Sequence, residues 1–186
     1  MSAAVRTPRK SRQLLLERTV DGRGNVPAAS TQIERATGRT AAYAHHPSYI
    51  HGSATGGAPG ERGGHGLVII RLYSKSSATP EDSSTVFYHT GRPQTYVVPE
   101  TVNVLNRVGG NDQGVEFVEI LAWGGGGGGG STNHTHGGGG GFVQAPIRVR
   151  AGDVLTIFVG GGGESAQGDA GGLGGFHGGG AGGSGE

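Results

Sequence analysis

The chain has 186 residues, of which 42 are glycine, 6% are aromatic and none is cysteine, and its formal net charge is +1. These values exclude a disulfide scaffold and thiolate metal or redox chemistry, and the near-neutral balance makes no general claim on nucleic acid or anionic membrane. Glycine loses the most backbone freedom on ordering and supplies no side chain to bury, so any core must come from the few apolar segments.

Residues 1–51 hold no sustained apolar period of either 2 or 3.6. Ser11–Arg18 has the length of two helical turns, but Gly22, Gly24 and Pro27 end it. The region reads as a disordered basic arm. Only Leu14–Leu16 follows the basic start, far short of a signal-peptide core, and the longest apolar runs are four residues, as in Leu67–Ile70. The expectation is therefore no secretory signal and no membrane span.

Gly52–Gly66 is the first glycine-rich stretch and runs into Leu67–Tyr73, a β-branched run that predicts a strand buried on both faces. A polar connector, Ser74–Ser84, separates it from short strands at Thr85–His89 and Thr95–Val98, with a turn at Gly91–Pro93 between them. Pro99 and Glu100 punctuate before Thr101–Val108, and Gly109–Gly114 forms another turn cluster. Val115–Trp123 carries the strongest strand pattern, apolar at Phe117, Leu121 and Trp123 and also at Val118, Ile120 and Ala122. Two apolar faces suit the central strand of a sandwich. Ile147 and Val149 alternate with Arg148 and Arg150, predicting a half-buried strand with Pro146 at its start or on a sheet edge. Ala151–Asp153 predicts a tight turn from which Val154–Val159 returns as the hairpin partner.

Glycine tracts meet apolar strands at three junctions: Trp123 with Gly124–Gly130, Gly137–Gly141 with Phe142, and Val159 with Gly160–Gly163. Such tracts have three physical readings: flexible loops, polyglycine-II helices packed side by side, or low-complexity adhesive material. Ordering costs about 1–2 kcal/mol per residue, while a hydrogen bond returns roughly 1 kcal/mol net. An isolated tract stays disordered on that balance. Several tracts anchored together on a β-base can order, and the three junctions supply anchors.

Little catalytic chemistry is legible. Matches to G-x-G-x-x-G are inevitable in glycine runs, and none opens an amphipathic helix. His134 and His136 flank Thr135, and His45, His46 and His51 lie near Tyr43 and Tyr49, but no carboxylate or cysteine nearby completes a metal set. Neither metal nor cofactor is expected, and no Ser-His-Asp arrangement emerges. Asn133-His134-Thr135 is a glycosylation sequon that matters only in a eukaryotic secretory route. Arg6, Arg9, Lys10 and Arg12 are the residues of the arm that nucleic acid would meet, yet arginine is scarce in the long glycine tracts, unlike RGG-type RNA binders.

Residues Tyr88–Gly91, Gln94–Pro99, Val118–Gly130, Gly137–Val143 and Val149–Gly163 together resemble the glycine-rich domain of the anaplastic lymphoma kinase and leukocyte tyrosine kinase receptors. Similar modules occur in microbial surface proteins and phage tail fibres. Gly63–Arg71 resembles the closing strand of such a module, and Asn103–Gly114 departs from the family spacing as an insertion. The resemblance implies a small antiparallel β-sandwich with glycine-rich loops or polyglycine-II helices, on an extracellular or surface-associated protein.

The expected organisation is a disordered arm over 1–51, the closing piece of a first module over 52–73, and a glycine-rich β module over 85–186 that is incomplete at its C-terminus. The expected core is Phe117, Trp123, Ile147, Val149, Leu155 and Ile157. The expected function is non-enzymatic: adhesion, structural assembly or ligand recognition, with a protein or glycan ligand or self-assembly and with the glycine loop tips as the working surface. The alternatives are a fragment of a receptor ectodomain that binds a protein ligand and, third, a disordered nucleic-acid-associated protein.

Overall fold

The structure, a computed structural model, describes residues 3–6, 31–74, 84–102, 113–131, 135–168 and 170–177. It is mainly β, with no helix among those residues. The strands are β1 (Ala3–Arg6), β2 (Gln32–Glu34), β3 (Leu67–Ser74), β4 (Ser84–Tyr88), β5 (Gln94–Val97), β6 (Thr101–Val102), β7 (Gln113–Trp123), β8 (Phe142–Arg148) and β9 (Val154–Val159). One antiparallel sheet has the order β2-β8-β7-β3-β4, with β6 also paired to β7. The other has the order β1-β9-β5. Neither closes into a barrel.

The larger sheet buries both of its faces. Val68, Ile70 and Leu72 of β3 and Val118, Ile120 and Ala122 of β7 pack against Leu155, Ile157 and Val159 of the smaller sheet. On the opposite face Leu67, Ile69, Leu121, Trp123 and Phe142 are covered by a non-strand segment that carries Ala41, Ala42, Tyr43, Tyr49, Ile50 and Ala54. The molecule is thus layered: small sheet, large sheet, covering segment. Two-sided burial explains why β3 and β7 read as continuous apolar runs. A register shift between Tyr73 and Ser74 returns Val115 to the face between the sheets, against simple alternation.

Three expectations need correction. Residues 31–51 are no disordered arm: β2 pairs with β8, and Ala41 and Ala42 are 4% exposed. Ala3–Arg6 pairs with β9, while residues 7–30 lie outside the described set. Nor does the chain divide near residue 73, because β3 pairs along its length with β7, in the same sheet as the later segments. Finally, β8 and β9 are not a hairpin. The turn carries the chain from one sheet to the other, with Gly152 at φ 79° and Asp153 N–H bonding Arg150 O at 3.0 Å. Bonds from Gly152 N–H to Val98 O and from Val98 N–H to Asp153 O, both 2.9 Å, pin that turn to the end of β5. The expected connector Ser74–Ser84 and insertion Asn103–Gly114 lie mainly outside the described residues, over 75–83 and 103–112.

Pro146 sits inside β8 opposite Glu119 rather than at the strand start. The pairing with β2 ends at Gln144, so Pro146 lies where the outer side of β8 has no strand neighbour among the described residues. A missing N–H costs little there.

Candidate functional site

The glycine tracts leave the same end of the sheets and bond to one another. From Trp123, the tract Gly124–Gly130 sends N–H groups at Gly124, Gly127 and Gly130 to the carbonyls of Gly141, Gly138 and Thr135, at 2.8–2.9 Å. Gly126 and Gly129 donate to Gly64 and Glu61, each at 2.9 Å. The carbonyls of Gly126 and Gly129 accept from Gly163 and Ala166, and those of Gly127 and Gly130 accept from Gly57 and Gly60. Every set of partners advances by three residues. The tract is therefore flanked by the 57–60, 61–64, 135–141 and 163–166 segments: Gly127 and Gly130 bond the 57–60 and 135–141 segments, and Gly126 and Gly129 bond the 61–64 and 163–166 segments. Outside these, Gly161 and Glu164 donate to Phe176 and Leu173, and Gly56 and Gly139 donate to Arg39 and Gly38.

Main chains this close leave no room for a side chain. A β-carbon at Gly126 would lie 2.0 Å from Thr55 O, and one at Gly137 would lie 2.0 Å from Gly127 O. Both approaches require glycine.

Away from the sheets the connecting turns converge. Gly60 bonds Gly130, Glu61 N–H closes a turn on Ala58 O at 2.8 Å, and Gln167 and Ala170 exchange bonds at 3.0 and 3.1 Å. Ser131 Oγ donates to Gly168 O at 2.8 Å, joining two of these turns directly. Glu61, Ser131, Thr135, His136 and Gln167 are exposed there. The Arg39–Glu61 pair, 3.9 Å apart with both side chains open to solvent, contributes little stability. This end of the bundle offers main-chain donors and acceptors with short polar side chains. Asn133 and His134, named from the sequence, lie outside the described residues.

Five of the six expected core residues divide between two cores, and Phe117 belongs to neither. Val149, Leu155 and Ile157 are buried between the sheets, with Ile147 half-buried against them, whereas Trp123 lies on the opposite face of the larger sheet. Phe117 is half-buried beneath Arg148, whose guanidinium carbon is 5.2 Å from the ring centroid.

Sequence reading missed a polar cluster on that covered face. Glu119, 3% exposed, faces Arg71 across the β3–β7 ladder. Its Oε2 accepts from Arg71 Nη1 at 3.2 Å and from Tyr73 OH at 3.1 Å, and its Oε1 accepts from Gln144 Nε2 at 2.6 Å. Arg71 also donates to Ser48 Oγ, tying the covering segment to the sheet. Burial, reinforced by the Glu119 charge, pushes the Tyr73 phenol up to about 12. Burial, then the Arg71 charge, holds His46 below its ordinary value. The only signal in the sequence was an acid inside an apolar run, and only the strand register reveals its partner.

A second missed group sits where the bundle joins the sheets. His65 precedes β3, His89 follows β4, and their rings stack at 4.4 Å with 22° between planes. Gly162 N–H donates to His65 Nδ1 at 3.0 Å, and His89 Nδ1 donates to Val159 O at 2.9 Å. Among the described residues, no group of three His, Cys, Asp or Glu side chains is placed to hold a metal ion, and no helix is long and apolar enough to cross a membrane.

Comparison with protein-family models, with curated proteins and with solved structures finds no match.

Proposed function

We propose that this chain is a non-enzymatic, glycine-rich surface module in which a β-sandwich base carries polyglycine-II helices and presents their turns for adhesion, structural assembly or ligand recognition. The observation that carries this reading is the three-residue recurrence of the bonds along Gly124–Gly130. Polyglycine-II has three residues per turn, and a rise of about 3.1 Å per residue puts Gly130 roughly 19 Å beyond Gly124. A free glycine tract cannot hold a turn in place, because every residue keeps its backbone freedom. A bonded bundle fixes several turns relative to one another, which is what a recognition surface needs. The resemblance supplies the surface location and the adhesive role; the bundle supplies a physical means.

The test has two arms. Amide exchange at Gly126 and Gly127 is expected to be slowed well below that of a free glycine peptide, and free-peptide rates reject the bundle. The intact chain is also applied to printed arrays of cell-surface glycans and membrane proteins, beside a chain in which residues 131–136, between two bonded tracts, are replaced by Gly-Ser of equal length. Retention that depends on this segment supports recognition at the tips. Retention unchanged by the swap removes the segment from the binding surface.

A further inference from the structure

The joint between the sheets and the outer glycine tract has an acceptor that a single proton abolishes. His65 Nδ1 receives the Gly162 N–H at 3.0 Å, so its lone pair is free for that bond and the neutral ring carries its proton on Nε2. His89 is held in the opposite sense, donating from Nδ1 to Val159 O at 2.9 Å. The stacked rings therefore tie both ends of one short stretch, the end of β9 and the root of the tract that follows it.

We infer that His65 and His89 form an acid-sensitive latch, in which protonation of His65 at Nδ1 releases Gly162 and loosens the tract Gly160–Glu164 at its root. A solvent proton at Nδ1 replaces the acceptor with a second N–H donor facing the Gly162 N–H. That bond is lost, and two donors are left opposed. His89 stays bonded to Val159 O through Nδ1, with its ring centroid 4.4 Å from that of His65.

The surroundings of His65 set the latch to open below the ordinary histidine value. Burial of the ring, then His89 from the connection after β4, then Arg62 on the same segment, keep His65 neutral. Phe176 lies 5.5 Å from the His89 ring, and the Phe176 and His177 centroids are 4.4 Å apart. Glu164 belongs to the released tract but stands towards the tip, where its N–H bonds Leu173 O. Gly162 is flanked by bonds from Gly63 to Gly163 and from Gly66 to Gly160, both at 2.9 Å, so the latch acts on one root while the tips stay joined. The inference is independent of any adhesive role.

The experiment is amide exchange and proton–nitrogen correlation spectroscopy on the full chain between about pH 7.5 and 5, a window that begins above the ordinary histidine value and runs well below it, where the depressed His65 takes its proton. After correction for the intrinsic rate, Gly162 is expected to lose protection by about five- to tenfold on acidification, the worth of one hydrogen bond. Gly126, whose bond to Gly64 O involves no histidine, serves as the reference and should hold. His65→Gln retains a side-chain acceptor without a titrating group and is expected to abolish the difference. The Gly162 amide shift should also follow the His65 ring through its titration in the unaltered chain. Loss of protection that persists in His65→Gln, parallel loss at Gly126, or a Gly162 shift that ignores the His65 titration overturns the latch.

Discussion

Glu119 stands in the middle of the most apolar strand of the chain, and its cost there depends on its partners. A buried charge left without them is expensive, whereas one with two neutral donors and a guanidinium is tolerable. Glu119→Ala strands Arg71, Tyr73 and Gln144 together, and the expected loss is about 3–5 kcal/mol in denaturant unfolding. Glu119→Gln has a distinct spectroscopic consequence. The Tyr73 phenol is pushed up to about 12 first by burial and then by the Glu119 charge, so an uncharged partner should bring its ultraviolet titration part of the way towards 10. Because the folded phenol keeps its proton where the unfolded one ionises, this contribution to stability is complete below about pH 10 and is lost as pH rises through the higher folded value. An unmoved phenol in Glu119→Gln would show that burial alone sets the shift. Trp123 is the companion case on the same face. Fully buried, with Nε1–H donating to Ala42 O at 3.0 Å, it joins the large sheet to its covering segment. Trp123→Ala should cost about 3–5 kcal/mol, and an unchanged melting curve would contradict that placement. Its apolar character was legible in the sequence, but its carbonyl partner, 81 residues away, was not.

Among the elements, the strands were easier to read than their pairings. Thr85–His89 and Thr95–Val98 predict β4 and β5 to within a residue or two, because β-branched runs bounded by Gly and Pro signal strands locally. The hairpin drawn from Ile147 to Val159 failed, since a tight turn with Gly152 can equally carry a chain between layers. What decides is the third partner, Val98, which no local pattern contains. The glycine tracts are the reverse case. Their anchors were legible, while the order among them depends on which carbonyl each N–H reaches. Two alanine substitutions test that order by position rather than composition. A β-carbon at Gly126 would overlap the main chain at Thr55, whereas at Gly138 it meets nothing within 4 Å. Overpacking costs about 1–3 kcal/mol, so Gly126→Ala should lower the melting temperature and speed exchange at Gly57 and Gly163, and Gly138→Ala should do neither. Equal effects from the two would mean that the tracts do not pack as described.

At the scale of the whole molecule, the layers depend on a segment that looked featureless in the sequence. Residues 36–54 cover one face of the large sheet with small and aromatic side chains, a pattern with neither helical nor strand period, so no periodicity argument could find it. The same layering draws two imidazoles away from water: His46, on the covering segment against Trp123 and Phe142, and His65 at the joint with the bundle. Both are held below the ordinary histidine value, each by burial first, then by Arg71 for His46 and by His89 for His65. Between those lowered values and about 6.5, the unfolded chain binds protons that the folded chain refuses. Stability is therefore complete above about pH 6.5 and falls as pH drops from there through the folded values. Urea unfolding is expected to show a lower midpoint at about pH 5.5 than at pH 7.5 with an unchanged slope, since no surface is lost from the transition. That window stays above the range where ordinary carboxylates titrate. The double variant His46→Gln, His65→Gln should flatten the dependence, and His65→Gln alone should flatten only part of it. If the double variant keeps the full dependence, the acid sensitivity comes from elsewhere and neither layer relies on a neutral imidazole.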